Sequence, residues 1–257
     1  MVELVGYFLF VFAGLFFGLF GSGGSIIIIP ILIYIFNFSI YEATSYSLVL
    51  VFLISLFGTV KHIKQKNFQI QNIFFFVLPT LFFTAVSRIF IFPSIPEYIN
   101  ILDISKESLL LIFFSVIIFL SGLSLFKRPT LDMGYNVNVL LFMIGIFIGL
   151  LTGLLGIGGG FIIVPALILF AKMNMKQAAS SALFIIMLNT FLAIILEIAI
   201  LEFPFEWDFI VFLLLSSLLG VIIGMNLLNK INMNVIKKLF SISLLLLSLV
   251  IFFIELL

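Results

Sequence analysis

Two glycine-rich segments carry the residue pattern of this chain that is best suited to chemistry. Gly18-Leu-Phe-Gly-Ser-Gly-Gly-Ser-Ile-Ile-Ile-Ile-Pro30 and Gly153-Leu-Leu-Gly-Ile-Gly-Gly-Gly-Phe-Ile-Ile-Val-Pro165 are identical at eight of thirteen positions, at a constant offset of 135. Glycine lets a backbone curl around an ion with no side chain in the way, and the amide N–H groups at the start of a helix attract an anion. The pattern predicts an anion site built from backbone, with these candidate residues: Gly21, Gly23, Gly24, Ser25, Gly156, Gly158, Gly159 and Gly160.

A purely structural role for these glycines is the alternative. Small residues permit tight turns and close helix packing inside membranes, and Pro30 and Pro165 shape or kink the segments that follow. Because the same pattern occurs twice at one offset, we favour the substrate-binding interpretation.

Hydroxyl side chains follow each glycine segment at matching positions. Ser45 and Ser180 are separated by the same offset of 135, and Thr44 and Ser181 lie beside them. We predict that these four side chains donate hydrogen bonds to the bound anion.

A further set of hydroxyls forms a stripe on the helix predicted from about 43 to 60. Four of them fall within about 120° of one another at 100° per residue: Thr44, Ser47, Ser55 and Thr59. They either line a polar path or pack helices and bond back to carbonyls, and the second interpretation is slightly favoured.

Two charged residues, Arg88 and Glu197, lie inside apolar segments, where charges are functional candidates by default. Both are expected near the outer ends of their spans, so we favour snorkelling towards water. The alternative is that they pair, or form a vestibule in which the arginine attracts an anion and the glutamate takes up a proton. Asn189 and Thr190 lie in the same helix as Glu197, and cavity lining and helix–helix hydrogen bonding both stay open for them. Arg88, Asn189 and Glu197 are the gating or coupling candidates.

The other residue types in the chain argue against a catalytic site, a metal site and nucleic-acid or nucleotide binding. The chain has no Cys and a single His62, expected at a solvated helix end, so neither a thiol nucleophile nor a histidine metal site is predicted. We expect no metal, no cofactor and no enzyme activity. The 12 basic residues are scattered against 11 acidic ones, which does not suggest nucleic-acid binding, and no nucleotide-binding Gly-x-x-x-x-Gly-Lys-Ser/Thr motif occurs.

Composition identifies the environment that must position these residues. Of 257 residues, 64% are hydrophobic and only 9% are charged, with a mean hydropathy of +1.45. A soluble domain carries roughly 25% charged residues, so the sequence predicts an integral membrane protein. The apolar N-terminus lacks a positive leader region, and we expect it to belong to the mature protein.

The apolar residues fall into eight blocks separated by short polar connectors. The bounds of the blocks are about 4–36, 43–60, 69–92, 108–126, 137–171, 177–201, 207–228 and 235–256. The first and fifth are too long for one crossing of a hydrocarbon core of about 30 Å, and both are interrupted by the glycine segments. The chain is therefore predicted to be a duplication, with halves 1–126 and 137–257 joined by a cytoplasmic linker at 127–136.

Loop charges predict how the halves are oriented. If each long block crosses the membrane once, ten basic loop residues split five to five between the two sides, against the positive-inside rule. If each long block enters and returns as two arms that meet at the glycines, all ten fall on one side: Lys61, Lys64, Lys66, Lys127, Arg128, Lys172, Lys176, Lys230, Lys237 and Lys238.

The second arrangement predicts an all-α integral membrane protein of two inverted-topology repeats. Each repeat is a glycine-broken helical hairpin plus three transmembrane helices, and both termini are extracytoplasmic. Whether the arms are re-entrant or short spans stays open. Inverted repeats with broken helices are typical of secondary transporters.

The doubled Gly-x-x-Gly-x-Gly-Gly pattern, followed by an apolar run, a proline and a small Ala-x-Ser segment, resembles the TauE/SafE family of sulfite exporters. The segment ending at Pro165 matches the family form well, whereas Ser22 and Ser25 depart from it in the first segment. The resemblance implies transport, and by the family name export, of sulfite, sulfonates or other small sulfur-containing anions across a plasma (inner) membrane. Expected partners are such an anion and the lipid bilayer. An anion channel, a membrane scaffold and homo-oligomer formation stay open.

Overall fold

The computed structural model describes residues 2–21, 23–64, 74–99, 103–126, 137–156, 158–228 and 230–256. The predicted linker at 127–136 lies outside the described residues. Helices account for nearly all of the described chain.

The described part of the first half contains six α-helices, and a π-helical segment extends the fourth. The bounds are α1 Val2–Phe20, α2 Ser25–Tyr34, α3 Ile40–Lys64, α4 Phe74–Val86, the π-helical segment Ser87–Ile91, α5 Phe92–Ser94 and α6 Lys106–Phe126. Two short antiparallel strands, β1 Tyr98–Ile99 and β2 Ile104–Ser105, connect α5 to α6.

The second half repeats the arrangement with an uninterrupted fourth helix. Its elements are α7 Val137–Leu155, α8 Gly160–Leu169, α9 Met175–Ala199, α10 Trp207–Leu228 and α11 Met233–Leu256. The bounds of α1, α2 and α3 recur in α7, α8 and α9 at the offset of 135 at both ends. The helix ends therefore follow the repeat in the sequence.

Seven helices among the described residues are long and apolar enough to cross a membrane. The candidate spans are Ile40–Ile63, Phe74–Ser94, Lys106–Phe126, Asn138–Leu155, Met175–Ala199, Trp207–Leu228 and Met233–Leu256. By contrast, α2 and α8 have 10 residues each and extend only about 15 Å at 1.5 Å per residue. The prediction of an all-helical, multi-pass membrane protein is confirmed.

The two halves are interleaved. Helix α1 packs most closely on α10 of the other half, and α7 packs on α4 in the same exchanged manner. Helices α3 and α9 form the central pair and run antiparallel, because Tyr41 near the start of α3 contacts Glu197 near the end of α9, whereas Gly58 faces Leu183. Helices α6 and α11 form the other equivalent pair.

Glycines allow close packing of helices in the two exchanged pairs, α1 with α10 and α7 with α4, and a hydroxyl group links α4 to α7. A Cβ on Gly14 would lie 1.9 Å from the carbonyl oxygen of Ser217, and one on Gly149 would lie 2.6 Å from that of Thr80. The hydroxyl of Thr84 donates to the carbonyl of Gly149 at 3.2 Å. These repeat-matched glycines outside the breaks thus have the packing role that small residues commonly have in membrane helices.

Candidate functional site

The charged residues Arg88 and Glu197 form a buried ion pair. Both side chains are 0% exposed, and the guanidinium donates directly to the carboxylate. The favoured interpretation that these residues snorkel to water is therefore wrong, and the alternative that they pair is confirmed. Arg88 lies in the π-helical segment after α4, and π turns inside helices are frequent at functional sites.

Neighbouring side chains complete the hydrogen bonding of this pair. Arg88 Nη1 donates to Thr44 Oγ1 at 3.2 Å, and Nη2 donates to Ser45 Oγ at 2.9 Å. The hydroxyl of Tyr41 donates to Glu197 Oε2 at 3.4 Å. A buried pair requires such additional bonds, because the desolvation of two charges is otherwise uncompensated. We call these five residues the arginine cluster.

The second glycine segment lies directly against the arginine cluster. Gly156 packs on Thr44: a Cβ there would lie 2.5 Å from the Thr44 carbonyl oxygen. Gly158 and Gly159 have φ of +71° and +69°, so only glycine fits there without strain. A Cβ on Gly158 would meet Ile186 and Val51, so the break between α7 and α8 lies between α9 and α3. We call residues 156 and 158–160 the second break.

Several buried polar atoms around the second break have no hydrogen-bond partner among the described residues. Thr152 Oγ1 is one, and it lies only 2.8 Å from where a Cβ on Gly159 would be. Ser47 Oγ is another, on the face of α3 between Thr44 and Val51, which both contact the break. Buried polar groups are almost always paired, so these atoms are candidate hydrogen-bonding groups for a ligand.

Asn189 adds two further unpartnered atoms. Its side chain is 0% exposed, and neither Oδ1 nor Nδ2 has a partner among the described residues. It lies three residues after Ile186 and next to Thr190, and both of these face Gly158. Thr190 itself is satisfied, since its hydroxyl donates to the Ile186 carbonyl at 2.7 Å.

The first glycine segment has different surroundings. Gly21, with φ of +77°, packs on Ala179, and a Cβ on Gly24 would lie 2.3 Å from the ring of Phe17. Gly23 faces Phe240. We call residues 21, 23 and 24 the first break, and its described neighbours are mostly apolar.

The repeat offset makes this difference explicit. Thr44 and Thr152 contact the second break together with the apolar side chains of Val51, Ile148 and Ile186. Ser47 and Asn189 lie on the helices that carry these contacts, so the four polar residues near the break are Thr44, Ser47, Thr152 and Asn189. Their counterparts in the other half, 135 positions away, are Ala179, Ala182, Phe17 and Ile54.

The structure brings some of the predicted site residues together and separates others. Thr44 and Ser45 join Arg88, Glu197 and the second break. Ser180 and Ser181 are buried in α9, where the hydroxyl of Ser180 donates to the Gln177 carbonyl at 3.0 Å. Ser25 is buried at the start of α2, on the side of the first break. Reasoning from the sequence missed Thr152 and Tyr41, although comparing the two halves position by position would have pointed to Thr152.

His62 differs from the expectation of a solvated helix end. Its side chain is only 2% exposed, and Nδ1 has no partner among the described residues. Thr59 Oγ1, one turn earlier on α3, is also buried and unpartnered. His62 is the repeat counterpart of Glu197, so the two halves place different titratable groups at equivalent positions. Among the described residues, no group of three or more His, Asp or Glu side chains is placed to hold a metal ion.

Comparison with known proteins agrees with this architecture. The chain is 27% identical over 180 residues to a probable membrane transporter protein of Methanocaldococcus jannaschii, a match that covers 67% of this chain and 63% of that protein. The chain thus aligns with less than two thirds of that relative's length. No solved structure matches. Residues 7–251 match the family described as sulfite exporter TauE/SafE. This polytopic membrane protein belongs to the TauE/SafE sulfite exporter family.

Proposed function

We propose that this protein is a secondary transporter that binds a small sulfur-containing oxyanion, such as sulfite or a sulfonate, at the second break. One observation carries the proposal: buried hydroxyl and amide groups without partners surround a glycine break at a helix start, directly beside a buried arginine. Such a site offers hydrogen bonds to several oxygens at once and a positive charge at close range.

The backbone at the second break supplies further attraction for an anion. Gly159 is the N-cap of α8 and provides no capping side chain, so the positive end of the helix dipole faces the break. The Ile162 and Ile163 N–H groups bond back to the Gly159 carbonyl, so the helix begins directly at the break. Helix starts of this kind are ready anion sites.

Hydroxyl groups and the Asn189 amide suit an oxyanion better than a halide. Thr152 and Ser47 each have one O–H to donate, and the Asn189 Nδ2 group has two N–H donors. An oxyanion presents three or four acceptor oxygens in different directions, which matches donors that come from α3, α7 and α9. Chloride has a single centre and cannot satisfy such dispersed donors equally well.

We further propose that the halves are inverted and alternate in access around the α3 and α9 pair. The antiparallel course of these equivalent helices supports an inverted relationship, because a two-fold axis in the membrane plane produces it. The exchanged packing of α1 on α10 and α7 on α4 is also compatible with such an axis. The positive-inside rule then places both termini outside a plasma membrane, and export follows the family name.

Flux in proteoliposomes tests the proposal. Vesicles with wild-type protein, with Gly159→Leu or without protein are loaded with sulfite, and thiosulfate, sulfate, methanesulfonate and chloride serve as competitors. We expect saturable sulfite efflux that thiosulfate or methanesulfonate inhibits and chloride does not, and its loss in Gly159→Leu, where a side chain at positive φ would contact Thr152 and Ile148.

A more conservative variant distinguishes loss of the binding site from loss of folding in the same assay. Thr152→Val keeps the shape of the side chain and removes only the unpartnered hydroxyl, so it should fold and have a raised KM. If no tested anion moves through folded wild-type protein, or if Thr152→Val has wild-type kinetics, the proposed site is wrong.

A further inference from the structure

We propose that Glu197 is a built-in counter-ion that competes with the transported anion for Arg88, so that a proton bound by Glu197 travels with the anion. This inference rests on the proposed function and assigns its coupling ion. It depends on the arrangement of the arginine cluster, which bridges the two halves of the chain: Arg88 belongs to the first half and Glu197 to the second.

Charge balance in the buried site requires such an exchange. With Glu197 ionised, the Arg88 and Glu197 pair is neutral and fully buried. Adding a monovalent anion such as methanesulfonate at the adjoining second break leaves one uncompensated negative charge away from water, which is strongly unfavourable. Protonation of the carboxylate removes that charge, and Arg88 then balances the anion instead.

The hydrogen bonds around Glu197 allow both protonation states. In the ionised state Oε1 accepts from Arg88 and Oε2 accepts from the hydroxyl of Tyr41. A protonated carboxyl group becomes a donor, and the Tyr41 oxygen is placed to accept from it. The proton comes from the aqueous phase, forms an O–H bond on Glu197, and returns to water on the other side after the anion has left.

Thr44 lies between Arg88 and the second break and contacts both. Arg88 Nη1 contacts Thr44 Oγ1, and Thr44 packs on Gly156. The Thr44 hydroxyl itself donates to the Tyr41 carbonyl at 2.9 Å. The arginine is therefore the charged donor of the cluster that lies beside the break and is freed when Glu197 is protonated.

Other titratable groups also lie on the elements packed around α9, and only some of these elements carry them. Helices α4 and α8 and the described side chains of α7 carry none. Glu255 at the end of α11 accepts from the hydroxyl of Tyr34 at 2.6 Å. Lys106 is buried over the ring of Phe92, which Arg88 also contacts, and it pairs with Glu97 at 3.5 Å. The remaining groups on α3, on α9 itself, on α11 and in the connection after α9 are Glu42, Tyr46, Lys61, His62, Lys64, Lys176, Lys237, Lys238, Glu202 and Glu206.

Proteoliposomes that contain a trapped pH indicator test the inference with thiosulfate and methanesulfonate, whose charges do not change near neutral pH. In wild-type vesicles we expect an anion gradient to drive protons in the same direction, and flux to increase as pH falls. In Glu197→Gln, which resembles the protonated state, flux should continue without proton movement and with at least a fivefold weaker dependence on pH. Glu255→Gln, which alters a carboxylate that accepts from Tyr34 at the end of α11, should behave as wild type.

Membrane potential gives an independent measurement in the same vesicles. With methanesulfonate, coupled movement of one anion and one proton carries no net charge, so an imposed potassium diffusion potential should not change wild-type flux. It should change flux through Glu197→Gln. Tyr41→Phe, which removes a donor to the ionised carboxylate, should change the pH profile of flux and serves as the test if Glu197→Gln does not fold.

The outcomes separate this inference from the proposed function. Wild-type flux with unchanged proton movement and pH profile in Glu197→Gln or Tyr41→Phe would overturn the coupling role alone. An absence of flux for every tested anion through folded wild-type protein would overturn the proposed function and the coupling role together.

Discussion

The two glycine breaks interrupt the helices in the same way, at glycines with positive φ, but they differ in the residues that surround them. The second break lies among Ser47, Thr152 and Asn189, whose polar atoms have no partner among the described residues, and it adjoins the arginine cluster. The first break is covered by Phe17 and Ala179. The two repeat-matched breaks thus differ in their polar neighbours, and we propose the anion site only at the second break. If binding is confined to the second break, substitutions there should change anion transport, and matched substitutions at the first break should not.

The largest effect is expected for Asn189→Leu, which gives the second break the apolar character of Ile54 in the first. Loss of a neutral donor to an ionised ligand costs about 1.5–3 kcal/mol, so the KM for the transported anion should rise at least tenfold. Thermal stability should stay the same or rise, because two buried unpartnered atoms are removed. Kinetics in proteoliposomes and melting curves measure both. A stability loss with unchanged KM would indicate a structural role instead.

Thr152→Val should raise KM by about tenfold for the same reason, again with no loss of stability. Thr84→Val is the matched control, because the Thr84 hydroxyl bonds to the Gly149 carbonyl between packed helices. That variant should lose about 1 kcal/mol of stability and keep its KM. Equal changes in KM for the two variants would contradict the assignment of Thr152 to the site.

Ser45→Ala and Ser180→Ala compare hydroxyls at the same repeat position. Ser45 accepts from Arg88, whereas the Ser180 hydroxyl donates to a carbonyl of its own helix. Flux should fall about fivefold in Ser45→Ala, since the arginine loses one contact, and should change less than twofold in Ser180→Ala. A larger effect in Ser180→Ala would move the site towards the first break.

The smallest effect is expected for Ala182→Ser, which places at the first break the hydroxyl that Ser47 supplies at the second. A serine inside a helix can bond back to a carbonyl of the preceding turn, so the fold should accept it and KM should change less than twofold. A clear fall in KM would mean that the first break also binds the anion.

Much of the fold was predictable because local patterns fix it. The apolar blocks and glycine spacing predicted the helices and the two breaks, and the bounds of α1, α2 and α3 recur in α7, α8 and α9 at the offset read from the sequence. Glycine is required where φ is positive, as at Gly158 and Gly159, so the breaks left a clear signal.

The pairing of charges was not predictable in the same way. Arg88 and Glu197 are 109 residues apart, and they meet only because α4 packs against helices of the other half. Arg88 also lies in the π-helical segment, and no residue in that segment is of a type that predicts a π turn. The sequence predicts a solvated His62 because this residue ends an apolar block beside Lys61, yet the face of α3 that carries Thr59 and His62 is buried.

Equilibrium binding of sulfite to purified protein tests the central claim most directly. Wild type, the double variant Thr152→Val with Asn189→Leu, and Ala182→Ser are compared by calorimetric titration in the same detergent. If the second break is the anion site, the double variant should lose binding while remaining folded, and Ala182→Ser should bind as wild type does. Unchanged sulfite affinity in the folded double variant would contradict the assignment of the anion to the second break.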